Sequence, residues 1–218
     1  MPLFYQNNIN ENTKLAIWKI EEEESFFLKQ VPLQRAITHP HKRLQHLAGR
    51  FMLQYLFPDF PFNEIVIADT RKPYLPYEQY HFSLSHCGNF AAAIVSRNNR
   101  VGIDIEIPAE KILRIQNKFL SERELEYMNS SKSELSLINH TDIKYQLPTL
   151  AWSAKETIFK WWSYGNVDFR EHLLLKEFSL TTEGNIGAYF YRSAEMYSLN
   201  LSYKLFDNLC LTWLNTDT

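Results

Sequence analysis

The sequence predicts an α+β fold built as two successive halves, each with helices and a small antiparallel sheet. Helical periodicity and strand alternation change places twice along the 218 residues, and "VGIDIE", Val101 to Glu106, falls between the halves. A hydrophobic share of 45%, with 15% aromatic residues, is enough for one large core or two small ones.

In the first half, "LAIWKI" (Leu15 to Ile20) alternates as a strand does, and the acidic run Glu21 to Glu24 is expected to be a solvated surface. From His41 to Phe57 the residues Leu44, Leu47, Ala48, Phe51 and Tyr55 recur at helical spacing, and Pro58 helps to end that helix. "EIVIADT" (Glu64 to Thr70) is expected to be a strand. "YHFSLSH" (Tyr80 to His86) and "FAAAIVS" (Phe90 to Ser96) form a strand pair across a Cys-Gly-Asn turn, and Arg97 to Arg100 turn the chain into "VGIDIEI". In the second half Ala109 to Phe119 is helical and another helix begins near Ser121, while "NSSKSELSLINHTD" has the polarity of a surface loop. The helix containing "WSAKETIFKWW" stops near Gly165. "EFSLTT", "IGAYFYRS", "MYSLNLSYKLF" and "CLTWL" are expected to be antiparallel strands.

The net charge of −2 argues against nonspecific nucleic-acid binding, which needs a basic domain. Cys87 and Cys210 form neither a metal-ligand spacing nor a disulfide framework, so a reduced, cytoplasmic setting is expected. The N-terminus lacks the order of a signal peptide and no run of 18 apolar residues exists, so no membrane partner is expected. The six glycines assemble no phosphate-cradling loop, which leaves side chains to hold any phosphate, and H-E-x-x-H is absent.

Asp104 and Glu106 are two apart, and on a strand their side chains share a face. Glu156 and Lys160, four apart in a helix, share a face as well. Three carboxylates with few cysteines suit a hard, oxygen-seeking cation such as Mg²⁺, which takes substrate phosphates as remaining ligands. Basic groups match it: Arg43, His46 and Arg50 make one helical stripe, Arg71 and Lys72 lie in "RKP", and Ser85 and His86 end "SLSH". A carboxylate-held metal beside basic groups describes a site for a pyrophosphate-containing ligand.

"RKPYL", "FSLSHC", "VGIDIE", "FLSERE" and "WSAKETIFK", in this order and spacing, resemble the 4′-phosphopantetheinyl transferase superfamily. The length, with the whole set on one chain, resembles its surfactin-type (Sfp-type) branch. That resemblance implies a monomer of two similar lobes in pseudo-twofold arrangement, divided here as residues 1–102 and 103–218, with coenzyme A in the cleft between them. It implies transfer of 4′-phosphopantetheine from coenzyme A to a serine of an apo acyl carrier protein or peptidyl carrier protein, giving adenosine 3′,5′-bisphosphate. Residue by residue, Asp104, Glu106 and Glu156 resemble the Mg²⁺ ligands. Glu124 resembles the general base and Lys160 a group steadying the leaving charge. Arg43, Arg50, Lys72, Ser85, His86 and Lys155 resemble the coenzyme A contacts.

Plainer readings stand beside these. Asp104 and Glu106 also suit an exposed strand edge. Ser121-x-x-Glu124 is a capping box, so Glu124 also suits a helix start, and Ser153-x-x-Glu156 fits the same pattern. Lys160 with Glu156 also suits an ordinary helix pair, Trp152 and Phe159 suit the core, and His86 suits a structural histidine. Lys111, Arg114 and Lys118 form a basic stripe that suits either an acidic carrier or water. Arg71 stands where the resemblance expects glycine, and Cys87 where a small polar residue is common. A module of the same fold that binds coenzyme A or a carrier without catalysis is the alternative function.

Overall fold

The first strand, β1 (Leu3–Asn8), carries no clear apolar alternation, because it is an edge strand whose inward side is only half-buried. The computed structural model describes residues 2–33, 36–135, 143–192 and 194–217. β1 pairs antiparallel with β2 (Thr13–Lys19), whose Leu15, Ala16 and Ile17 are fully buried. The acidic run does not stay as solvated surface throughout: α1 (Glu24–Leu28) starts inside it and drives Phe27 into the core. An acidic residue in a first turn suits the positive end of a helix.

α2 (Pro40–Leu56) has proline at its start, and the His39 ring caps it by accepting from the Lys42 N–H at 3.4 Å. Leu47, Ala48, Met52 and Leu53, at helical spacing, are fully buried. The strand expected over Glu64 to Thr70 shrinks to β3 (Val66–Ile67), antiparallel to β4 (Pro73–Tyr74). The chain turns back at Ala68, which donates to Lys72 O at 2.9 Å while Arg71 N–H donates to Ala68 O at 2.8 Å.

β5 (His81–Cys87) and β6 (Phe90–Ser96) form the expected hairpin, with Gly88 at φ 52° in the turn, a conformation open to glycine at little cost. The sheet order is β1-β2-β6-β5, with Ala16 opposite Ala93 and Ser85 opposite Ala92. β7 (Asn99–Glu106) carries the paired carboxylates. The chain forms two compact units. One runs to Ile105 and regains the chain from Asn215, and the other is Glu106–Leu214.

The second unit opens with α3 (Lys111–Ile115) and a 3-10 turn at Gln116–Lys118, which bury Ile112 and, just beyond, Phe119. α4 (Glu122–Leu135) continues into the polar stretch expected to be a loop; residues 136–142 of that stretch lie outside the described residues. The polarity there belongs in part to an outward helical surface, where Ser130 Oγ donates to Glu126 O at 3.0 Å.

α5 (Ile143–Trp162) begins well before "WSAKETIFKWW" and contains Pro148. Its stripe Leu147, Leu150, Ala151, Ala154, Ile158 and Trp161 is buried. β8 (Leu173–Leu175), β9 (Glu183–Arg192), β10 (Glu195–Phe206) and β11 (Leu209–Asp217) are antiparallel in the order β11-β10-β9-β8. "EFSLTT" is not a strand, contrary to its alternation. Phe178 N–H donates to Tyr127 Oη at 3.0 Å and Thr181 N–H to Tyr203 Oη at 3.1 Å. Tyrosine hydroxyls take the place of a strand partner there, and the neighbour of β9 on that side is β8. Among the described residues no helix is long and apolar enough to cross a membrane.

Candidate active site

The two carboxylates of β7 are each held by an uncharged donor. Asp104 is 3% exposed, and its Oδ1 accepts from Ser85 Oγ at 2.8 Å. The same hydroxyl accepts from Ile105 N–H at 3.2 Å, and two residues back along β5 Ser83 Oγ accepts from Ile103 N–H at 3.2 Å. The alternate serines of "SLS" therefore bind the backbone of β7. Ser85, expected from the resemblance to touch coenzyme A, uses its hydroxyl to aim Asp104.

In the second unit Glu106 Oε1 accepts from Trp152 Nε1 at 2.9 Å. Trp152 also packs edge-on against Phe119, with ring centroids 5.0 Å apart. The sequence reading of Trp152 as core therefore misses its polar end, which points at a candidate metal ligand. Glu156 lies one turn beyond Trp152 and Lys160 one turn beyond that, all half-buried on a single stripe of α5.

A neutral hydroxyl and a neutral indole orient these carboxylates without cancelling their charge. Among the described residues no three His, Cys, Asp or Glu side chains form a metal-holding group. Mg²⁺ asks less of a protein: one or two carboxylates, with waters and substrate phosphates completing its shell. Asp104 in the first unit, and Glu106 and Glu156 in the second, each offer an oxygen donor of that kind.

Glu124 is where the capping-box reading holds in full. Its Oε2 accepts from Ser121 N–H at 2.7 Å and from Ser121 Oγ at 2.8 Å, while Glu124 N–H donates to Ser121 Oγ at 3.3 Å. The same Oε2 accepts from Lys155 Nζ at 2.8 Å, and Oε1 accepts from Leu175 N–H at 2.9 Å. Lys155 is 0% exposed and Glu124 5%. Lys155 Nζ donates in addition to Phe119 O at 2.7 Å and Phe169 O at 2.9 Å. Burial pushes the Lys155 ammonium below the usual lysine range, and the Glu124 carboxylate pulls it part of the way back. The ammonium expected to meet coenzyme A thus has its donors on protein oxygens.

The first unit holds a pocket of about 380 Å³. Lys42, His46, Arg50, Arg71, Ser85 and His86 line it, so five of these six are basic side chains. Arg50 is 3% exposed there. Arg50, Ser85 and His86 were expected at a ligand site, with His46 and Arg71 among the basic groups supplied to it; Lys42 was not named. Arg43 faces elsewhere: its Nε donates to Glu24 Oε1 and Oε2, both at 2.8 Å, and its Nη1 to Ile37 O at 3.1 Å. Among the described residues the pocket lining includes Arg71 and not Lys72. Arg71 takes φ 65°, the left-handed conformation that the resemblance reserves for glycine, so the turn survives with an arginine in it.

Residues 100–214 match the family model described as the 4′-phosphopantetheinyl transferase superfamily. The chain is 36% identical over 121 residues to enterobactin synthase component D of Escherichia coli (strain K12), covering 55% of this chain and 54% of that protein. It is 33% identical over 122 residues to the protein of that name in Shigella flexneri, covering 55% and 54%. Against that of Salmonella typhi it is 31% identical over 124 residues, covering 55% and 47%. The matched part spans about half the length of these curated relatives. With the family model covering more than half of its residues, the chain belongs to the 4′-phosphopantetheinyl transferase superfamily.

Proposed function

We propose that this protein is a surfactin-type transferase that moves 4′-phosphopantetheine from coenzyme A to a serine of an apo acyl or peptidyl carrier protein. It works as a monomer in the reduced cytoplasm. The observation that carries the reading is the basic pocket of the first unit, whose wall residue Ser85 is bonded to Asp104 on the matched "GIDIE" strand. A pocket with Lys42, His46, Arg50, Arg71 and His86 on its wall suits a ligand of several phosphates.

In the step itself the carrier serine oxygen forms a bond to the phosphorus next to pantetheine. The bond from that phosphorus to the bridging oxygen breaks, adenosine 3′,5′-bisphosphate leaves with the electron pair, and the serine proton passes to solvent. Mg²⁺ held by Asp104, Glu106 and Glu156 would neutralise pyrophosphate charge. Lys160, on the same stripe as Glu156, steadies the leaving oxygen. Positioning and electrostatics supply most of the rate in such transfers.

The test is intact-mass spectrometry of apo carrier incubated with the protein, coenzyme A and Mg²⁺. A gain of one phosphopantetheine that EDTA abolishes supports the reading. Coenzyme A binding without any gain on an acyl or a peptidyl carrier points to the non-catalytic module. Lys111 and Arg114 are exposed on α3, and reversing both to Glu is expected to raise the carrier KM while sparing coenzyme A affinity. An unchanged carrier KM removes α3 from the docking surface.

Arg71→Gly is a separate expectation for the pocket. It exchanges left-handed strain for glycine's larger loss of chain entropy, so stability changes by less than about 1 kcal/mol. Coenzyme A affinity, read by calorimetry, falls about tenfold as one charged phosphate contact is lost. Equal affinity would leave Arg71 a turn residue alone.

A further inference from the structure

We infer that the buried Glu124–Lys155 pair is a positioning device that fixes α5 behind Glu156, and that Glu124 does not take the proton of the carrier serine. The inference rests on the transferase reading above and departs from the role that the family resemblance gives Glu124.

A general base must offer an oxygen lone pair to the hydroxyl it deprotonates. Oε2 of Glu124 is fully engaged, and Oε1 already holds one donor. Oε2 accepts from Ser121 N–H, Ser121 Oγ and Lys155 Nζ at 2.7, 2.8 and 2.8 Å, and Oε1 from Leu175 N–H at 2.9 Å. The carboxylate is 5% exposed, so a carrier serine has no path to it without parting these contacts. Lys155 is equally committed, to Phe119 O, Phe169 O and Glu124.

Through this pair one point of α5 is tied to four places. They are the end of the 3-10 turn at Phe119, the start of α4 at Ser121, the loop at Phe169, and β8 at Leu175. Glu156 follows Lys155 directly, about 100° further around the helix. Holding Lys155 on the buried side therefore sets the rotation at which Glu156 and Trp152 leave the helix. Trp152 in turn aims Glu106. Loosening the pair misplaces Glu106 and Glu156 together.

The experiment compares wild type, Glu124→Gln, the double variant Glu124→Gln with Lys155→Met, and Ser121→Ala. Each is measured for transfer and, by calorimetry, for Mg²⁺ binding to the coenzyme A-loaded protein. Thermal melts confirm the folded state below the assay temperature. Glu124→Gln is expected to weaken Mg²⁺ binding as well as transfer, because it acts through Glu156. The double variant removes both buried charges, and it is expected to regain at least about tenfold of the lost rate, as neutral replacements of buried pairs often restore packing. Ser121→Ala, which needs no buried charge to be resolved, is expected to lower transfer several-fold and to weaken Mg²⁺ binding.

Two results overturn the inference. One is a folded double variant as inactive as Glu124→Gln with unchanged Mg²⁺ binding, which is the behaviour of a lost base. Should the double variant not fold, the other decides: a Ser121→Ala rate equal to or above wild type, as a freed base would give. Absence of transfer by wild type on both carriers instead overturns the transferase reading, and the inference with it.

Discussion

Lys155→Met alone is expected to destabilise the unit that carries it by about 3–5 kcal/mol, the loss typical when one partner of a buried ion pair is removed. For a chain of this size that is a fall in Tm of about 6–20 °C. The pair is enclosed, with Lys155 at 0% and Glu124 at 5% exposure, so water cannot replace the missing ammonium. Phe119 O and Phe169 O lose their donor in the same substitution. Lys204→Met is the natural control. Lys204 pairs with Glu183 at 2.5 Å at a largely exposed carboxylate, and its removal is expected to leave the melting temperature nearly unchanged. Equal melting shifts for the two variants would show that burial does not govern the Lys155 pair.

The contrast between these lysines shows what local sequence carries. "SxxE" at Ser121–Glu124 is a four-residue pattern, and the capping geometry it announces is the one present. The β5–β6 hairpin and the long helix α2 were equally legible, since each depends on alternation or helical spacing within one stretch. Lys155 was not legible. Its partners Phe119 and Phe169 contribute backbone carbonyls from elsewhere in the chain, and a carbonyl leaves no trace in residue identity.

The basic face of α2 shows a subtler limit. Arg43 and Lys42 are neighbours, about 100° apart around the helix. The stripe through Arg43 and Arg50 was expected at the ligand site. The pocket takes Lys42 with His46 and Arg50, and Arg43 turns to Glu24 on α1. Choosing between them required knowing that the acidic run folds into a helix. "EFSLTT" fails for a similar reason, because tyrosine hydroxyls from α4 and β10 satisfy its backbone. The carboxylate motif was legible as a pattern, but the orienting groups, Ser85 and Trp152, were visible only in three dimensions.

Asp104→Asn is expected to reduce transfer by about 10²–10³, the scale of losing one preorganised electrostatic group at a reacting centre. The change is close to isosteric, and asparagine keeps an oxygen to accept from Ser85 Oγ, so the bond now measured at 2.8 Å has a successor. The fold is therefore expected to persist, with a Tm within a few degrees of wild type. What is lost is the charge that a Mg²⁺ ion needs from a hard oxygen donor. Raising Mg²⁺ should then recover part of the rate, because a weakened site refills by mass action. Ser85→Ala separates aim from charge: it leaves the carboxylate but removes its hydroxyl, and a loss of about tenfold is expected, the scale of one hydrogen bond to a charged group. If Asp104→Asn instead loses transfer with no response to Mg²⁺ while coenzyme A still binds, Asp104 acts on the structure of β7 and not through a metal. If it keeps full transfer, the paired carboxylates of "GIDIE" lie outside the reaction altogether.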